Sequence, residues 1–427
     1  MREMKNSELP WIGDMPSNWK LTKGKYCLKY LQKPIQDDDG VITCFRDGEV
    51  TLRSKRREEG FTMSDKEIGY QGIDVGDLVV HGMDGFAGAI GVSDSRGKAS
   101  PVLNVLDTEE NKKFFMYYLR SMAYGDVFLA LATGIRVRSC DLRWNKLAEL
   151  SYPIPPIEEQ KRIAEYIETK CSEIDALSAD IQSKIDTLEA YKRSVITEAV
   201  TKGLDKNVPM KDSGIIEIGK IPCSWRKSKT KYVAQISIGL VTTMTAHYVD
   251  SLENGVYLIR NGDIRLNKIE PNGMVYISKD FVDRNSNRKL KIKDIVTVHT
   301  GYVGTSALID EEYEGSVGFA TIQSRPNLSI VNERFLCWYY NSNAFIEQCM
   351  SHNTGDGRQN LNLYDFVDFW VILPPPNEQD TIADYLDTKC SEIDEIINDL
   401  NKELIVLEEY KKSIIYEYVT GKKEVPV

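Results

Sequence analysis

Apolar side chains fall into a regular stripe in two stretches of the chain. Ile167, Ile174, Ile181, Leu188 and Val195 recur every seven residues, and Leu386, Ile393, Leu400, Leu407 and Ile414 repeat that pattern in the second stretch. Another apolar column follows four residues on. It comprises Cys171 and Ile185, with Ser178 interrupting, and then Cys390, Ile397 and Leu404. Alternating steps of three and four keep one stripe turned toward a partner, which is the seam of a coiled coil. Neither stretch contains an internal Pro or Gly. Prolines precede Glu158 and Asn377, and Gly203 and Gly421 supply stops. The pattern predicts two helices, each about 65 Å long, packed antiparallel on each other. Between them the apolar positions come in short runs instead. Leu78-Val79-Val80 and Ile295-Val296-Thr297-Val298 are expected to be equivalent strands, each leading into glycine-containing loops. Phe114 to Leu131 and Asn332 to Met350 are expected to be helical.

The two striped stretches are copies. Glu158 to Thr201 aligns without gaps to Asn377 to Thr420, with 22 of 44 positions identical, where chance gives roughly 6%. Thr169-Lys170-Cys171-Ser172-Glu173-Ile174-Asp175 recurs verbatim as residues 388–394. A second repeat opens each half: Gly13-x-x-Pro16-x-x-Trp19 returns as Gly219-x-x-Pro222-x-x-Trp225. The expected class is therefore α+β, a duplicated head-and-helix chain with pseudo-two-fold symmetry. Its divisions are a first head (1–152), a central helix (153–205), a second head (206–371) and a C-terminal helix (372–427). A solenoid would repeat at shorter periods of 20–50 residues.

The net charge of −10 argues at first sight against a nucleic-acid partner. Its distribution reverses that inference. Residues 158–203 hold 10 acidic and 7 basic side chains, and residues 377–427 hold 13 and 6, so the two helical segments carry all of it. The heads are neutral in sum and free to present basic faces. Eight cysteines without a C-x-x-C pair, among four scattered histidines, indicate reduced thiols rather than a disulfide framework or a zinc site. No run of 18 apolar residues or leader-like start is present, so a cytoplasmic chain with no membrane partner is expected.

Catalytic signatures are missing. The sequence has no phosphate-binding G-x-x-x-x-G-K-[ST] loop, no G-x-G-x-x-G, no G-x-S-x-G and no H-E-x-x-H. It also lacks the Asn/Asp-Pro-Pro-aromatic signature expected of an adenine methyltransferase. What remains is recognition chemistry. Arg53, Lys55, Arg56 and Arg57 cluster in the first head. Arg260, Asn261 and Arg265 lie in one region of the second head, and Arg288, Lys289, Lys291 and Lys293 in another. Arg136 and Arg138 share a polar loop, and Arg358, Gln359 and Asn360 occupy the corresponding loop. Arg, Asn and Gln read purine edges bidentately, and Lys and Arg neutralise phosphates.

Two differing heads alternate with two copied helices, each introduced by prolines and a Glu-Gln pair. With the opening Trp11-Ile12-Gly13-x-x-Pro16-x-x-Trp19, this layout resembles the specificity subunit of type I restriction-modification systems. The resemblance implies that each head is a target recognition domain contacting one half of a bipartite, asymmetric double-stranded DNA site. It implies that the helices set the spacer and dock two methyltransferase subunits, to which restriction subunits are added. S-adenosylmethionine, ATP and Mg2+ would then act in partner chains, leaving this chain non-catalytic and with no cofactor or metal of its own. No base-reading residue follows from the resemblance by position. A free-standing DNA-binding regulator and a coiled-coil adaptor are the alternative classes.

Overall fold

The structure is a computed structural model describing residues 2–56, 68–131, 142–241, 244–270, 273–352 and 360–426. The copied segments fold as single long helices, Ile157–Lys202 (46 residues) and Pro376–Val419 (44 residues). Acidic side chains occupy their first turns, Glu158 and Glu159 in one and Glu378 in the other, where the helix dipole favours negative charge. Gly203 and Gly421 end them at φ +79° and +73°, the left-handed conformation that glycine adopts most easily.

The chain divides into two compact units, Met1–Ile181 with Asn401–Val427, and Gln182–Leu400. Each unit holds one head and a part of each long helix. In the first, Ile167, Cys171 and Ile174 share a core with Ile414, Ile415 and Tyr418. In the second, Val195, Ile196 and Ala199 share a core with Ile382, Leu386 and Cys390. Within either unit an early turn of one helix meets a late turn of the other, so the helices run antiparallel. Ile167, Ile174, Ile181, Val195, Leu386, Ile393 and Ile414 are buried, while Leu188, Leu400 and Leu407 are half-buried. The seam is pinned by equivalent ion pairs, Lys411 Nζ to Asp175 Oδ1 in the first unit and Lys192 Nζ to Asp394 Oδ2 in the second, both 2.6 Å.

In the first unit four antiparallel strands form a sheet in the order Lys29–Leu31, Leu103–Asp107, Leu78–His81, Ile90–Val92. The second unit builds the same sheet from Ala234–Ile238, Ile322–Pro326, Ile295–Thr297 and Ser306–Leu308. The two strands read as equivalent therefore hold the same place in each sheet. A second four-stranded sheet, with one parallel pair, is added in the second head. Aromatic helices cover the sheets. Lys112–Tyr124, started by the Asn111 side chain accepting from Phe114 N, buries Phe114, Phe115 and Tyr118. Glu333–Tyr340, started likewise by Asn332, buries Phe335, Trp338 and Tyr339. The expected continuous helices break after Tyr124, where Asp126 takes φ +54°, and at Asn341.

Each head closes on itself. Its entry strand (Lys20–Lys23, or Arg226–Lys229) pairs antiparallel with its exit strand (Ser151–Ile154, or Trp370–Leu373) just before the long helix. The Gly-x-x-Pro-x-x-Trp repeats sit at these entrances. Both tryptophans are buried, and Lys5 and Lys211 latch them by donating to the Trp19 and Trp225 carbonyls, both at 2.7 Å. Trp225 Nε1 also donates to Glu378 Oε2 (3.0 Å). The rings press on the helix-ending glycines. A Cβ on Gly421 would lie 3.1 Å from the Trp19 ring, and one on Gly203 3.1 Å from the Trp225 ring. A Cβ there would make the ring give way, and the left-handed backbone itself favours glycine at both positions.

Candidate nucleic-acid interface

In each head the residues that follow the polar loop singled out from sequence are tied to one end of the sheet. In the first head Leu142 N donates to Gly82 O (2.9 Å), just past the strand Leu78–His81. In the second head Leu361 N donates to His299 O (2.8 Å), just past Ile295–Thr297. Arg136, Arg138, Arg358 and Gln359 lie outside the described residues, but the stems that carry their loops are thereby placed. Buried Asn104 fixes the first stem by donating to Val80 O (3.1 Å) and Leu142 O (3.0 Å). In the second head Asn261 Oδ1 accepts from His299 N (2.8 Å), and Asn360 Oδ1 accepts from Thr300 Oγ1 (2.8 Å). Asn261 and Asn360, from segments nearly a hundred residues apart in sequence, thus meet at one strand end.

A histidine closes that strand in both heads, a coincidence readable as Val80-His81 and Val298-His299 but passed over in the sequence reading. Burial pushes the pKa of both imidazoles below the ordinary value, against a weaker opposing pull from Asp84 at His81. Burial thus favours the neutral ring in both heads. His81 Nδ1 accepts from Asp84 N (2.9 Å) and shapes the turn into the loop. Arg46, also not singled out, reaches Asp84 Oδ1 (2.9 Å) and links the neighbouring hairpin to that loop.

The basic candidates are held by hydroxyls, carboxylates and carbonyls. Arg53 Nε donates to Thr43 Oγ1 (3.2 Å), and Lys55 Nζ donates to Ser95 Oγ (2.7 Å). Arg56 pairs with Asp47 and Glu49 and lies 4.3 Å from the Phe45 ring centroid. The Asp47 hydrogen bond raises the guanidinium pKa further. Arg57 lies outside the described residues. In the second head Arg265 binds Glu270 (3.0 Å), Lys289 binds Asp283 (2.5 Å), and Arg288 donates to Ile238 O (2.6 Å). Arg260 is a brace: its Nε and Nη2 grip buried Asp263 (3.0 and 2.8 Å), and Nη2 also reaches Gly273 O. Single pairs of this kind pre-set a side chain without exhausting it, since a guanidinium has five donors and an ammonium three. The described residues thus bring His81 and Arg46 to the loop end of the first sheet, and His299, Asn261 and Asn360 to that of the second, while Lys55, tied to Ser95, lies beside the opposite end of the first sheet. Among the described residues no group of three or more His, Cys, Asp or Glu side chains could hold a metal ion. No described helix is long and apolar enough to cross a membrane.

Residues 223–405 match the type I restriction modification DNA specificity domain. The chain is 25% identical over 352 residues to the type I restriction enzyme EcoBI specificity subunit of Escherichia coli, covering 81% of this chain and 73% of that one. It is 24% identical over 432 residues to a Methanocaldococcus jannaschii chain provisionally named as the MjaX specificity subunit, covering 96% and 95%. A solved structure described as the structural basis of complex assembly and conformational transition of the type I R-M system shares the fold. Its TM-score is 0.71 at 15% identity, over 96% of this chain and 99% of that one.

Proposed function

The chain belongs to the specificity subunits of type I restriction enzymes, and we propose that each head reads one half of a bipartite DNA target while partner chains perform the chemistry. The observation that carries this reading is the repeated architecture. Both heads present the same sheet order and the same loop return, yet the loop residues differ, Arg136 and Arg138 in one and Arg358, Gln359 and Asn360 in the other. Equal frames with unequal reading loops suit an asymmetric target whose halves differ. Backbone-directed cations give register, and amide and guanidinium groups discriminate bases.

In this reading the long helices set the gap between the half-sites and dock two methyltransferase subunits, with restriction subunits added to that assembly. S-adenosylmethionine, ATP and Mg2+ serve those partners. Methylation-sensitive long-read sequencing of a host carrying the complex tests it. One motif with two specified halves and an unspecified gap is expected. A continuous motif, or methyl transfer from S-adenosylmethionine to DNA by the purified single chain, would contradict it.

A further inference from the structure

Beyond the entry tryptophan, the two heads diverge quickly. Between residues 20–33 and 226–239 only three of fourteen pairs are identical: Lys23 with Lys229, Lys25 with Lys231, and Tyr26 with Tyr232. All three fall within four residues.

The fold accounts for the lysines. Lys23 Nζ donates to Glu149 O (2.8 Å) and Lys25 Nζ binds Glu149 Oε1 (2.9 Å). In the second head Lys229 Nζ donates to Asp368 O (2.7 Å) and Lys231 Nζ binds Asp368 Oδ1 (2.7 Å). Each pair clamps the turn before the exit strand. The tyrosines have no comparable duty, being 76% and 66% exposed. Among the described residues each ring is met by the preceding ammonium, 5.5 Å from the Tyr26 centroid and 5.4 Å from that of Tyr232. An amphipathic ring held out in solvent, in the same pose on both heads, answers to something outside the chain.

Strand register separates this feature from the reading loops. Lys29 lies opposite Asp107, whereas His81 lies opposite Leu103 at the other end of that strand. Ala234 lies opposite Pro326, and Thr297 opposite Ile322, again at opposite ends. Each tyrosine precedes its edge strand by two or three residues and so sits at the sheet end away from the loops. Its lysines are engaged by a carboxylate and a carbonyl, which leaves a ring rather than a free cation as the feature on offer. Aromatic anchors of this kind fill pockets on proteins. A partner met identically by two heads with different loops is one present in two copies.

We propose that Tyr26 and Tyr232 are matched anchors on which two copies of one protein, the methyltransferase subunit of the proposed complex, seat on the two heads. The assignment of that partner rests on the proposed function. The test is native mass spectrometry and affinity titration of the full chain with the methyltransferase subunit of its own system, using Tyr26→Ala, Tyr232→Ala, the double variant and the matching Phe variants. The unaltered chain should take up two copies. Each single Ala variant should weaken one copy by at least roughly tenfold, and the double variant both, while the Phe variants stay within about threefold. Binding of target duplex by the double variant alone should equal that of the unaltered chain. Two copies bound with unaltered affinity by the double variant would overturn the proposal and leave the proposed function standing. Loss of duplex binding with uptake of two copies retained would assign the tyrosines to DNA and also overturn it. Uptake of no methyltransferase subunit by the unaltered chain would overturn the proposed function itself.

Discussion

Gly421 combines two demands that are separable by substitution. Its φ is +73°, and a Cβ there would also lie 2.3 Å from Pro16 Cδ. Gly219, at φ +70°, has nothing within 4 Å of its would-be Cβ. Gly219→Ala should therefore cost only the left-handed penalty, about 1 kcal/mol, and Gly421→Ala about 2 kcal/mol or more. Urea unfolding measures both, and equal losses would show that Pro16 yields freely. A second residue-scale expectation concerns Arg96, which donates to Asp39 from Nε and Nη2 (both 3.0 Å) and also pairs with Asp74. The Arg96 hydrogen bonds hold Asp39 below the usual carboxylate range, and Lys33 with Arg96 does the same for Asp74. Depressed carboxylate pKa values add stability that is present above the ordinary value near about 4 and is lost as pH falls through the lowered values. Melting temperature between pH 2 and 7 should accordingly fall more steeply at acid pH for the unaltered chain than for Arg96→Gln, whose neutral-pH value should be lower. Parallel curves would contradict this. Such partners were not legible beforehand. Arg260 was singled out as a candidate reader because Asn261 and Arg265 lie beside it, and its clamp on Asp263 depends on a turn geometry that composition does not reveal.

At the scale of elements, the verbatim Thr-Lys-Cys-Ser-Glu-Ile-Asp motif acquires a physical meaning from its last residue. Asp394 meets Lys192, and Asp175 meets Lys411, in each case across the seam. The lysines are largely sequestered, their side chains 11% and 17% exposed, while the aspartates are 52% and 60% exposed. Solvent screening at the carboxylate keeps the coupling small. A double-mutant cycle with Lys192→Met and Asp394→Asn should return about 0.5–1 kcal/mol, and a value near zero would mean that apolar packing alone fixes the register. The helices were legible because a heptad is a local pattern with caps at both ends. The Lys192–Asp394 contact joins residues 202 positions apart, and no local period encodes it. The sheets were less legible for a related reason. Strands such as Leu78–His81 and Ile295–Thr297 are three or four residues long, enough to mark a strand but too short to specify its neighbours. The second head's additional sheet was passed over although Val256-Tyr257-Leu258-Ile259 has the composition of a strand, and its parallel pairing with Val317–Phe319 joins residues too far apart for any local pattern to encode.

Across the whole molecule, duplication is the organising fact, and it makes recognition modular. Four residues inserted after Ser183 would advance the first long helix by about 6 Å and turn it by about 400°, nearly preserving its stripe. The preferred gap should widen by about one or two base pairs, at about 3.4 Å each, with both half-sites unchanged. Two inserted residues turn the following stripe by about 200° and should cripple folding or assembly. The methylated motif in cells distinguishes these outcomes, and full activity with an unchanged gap in the four-residue variant would show that something else spaces the half-sites. The most direct test of one head per half-site is exchange of residues 1–152 for the first head of another specificity subunit, followed by sequencing of the methylated motif. One half of the motif should change to that of the donor while the other half and the gap persist. A change in both halves, or in neither, would contradict the division of recognition between the heads.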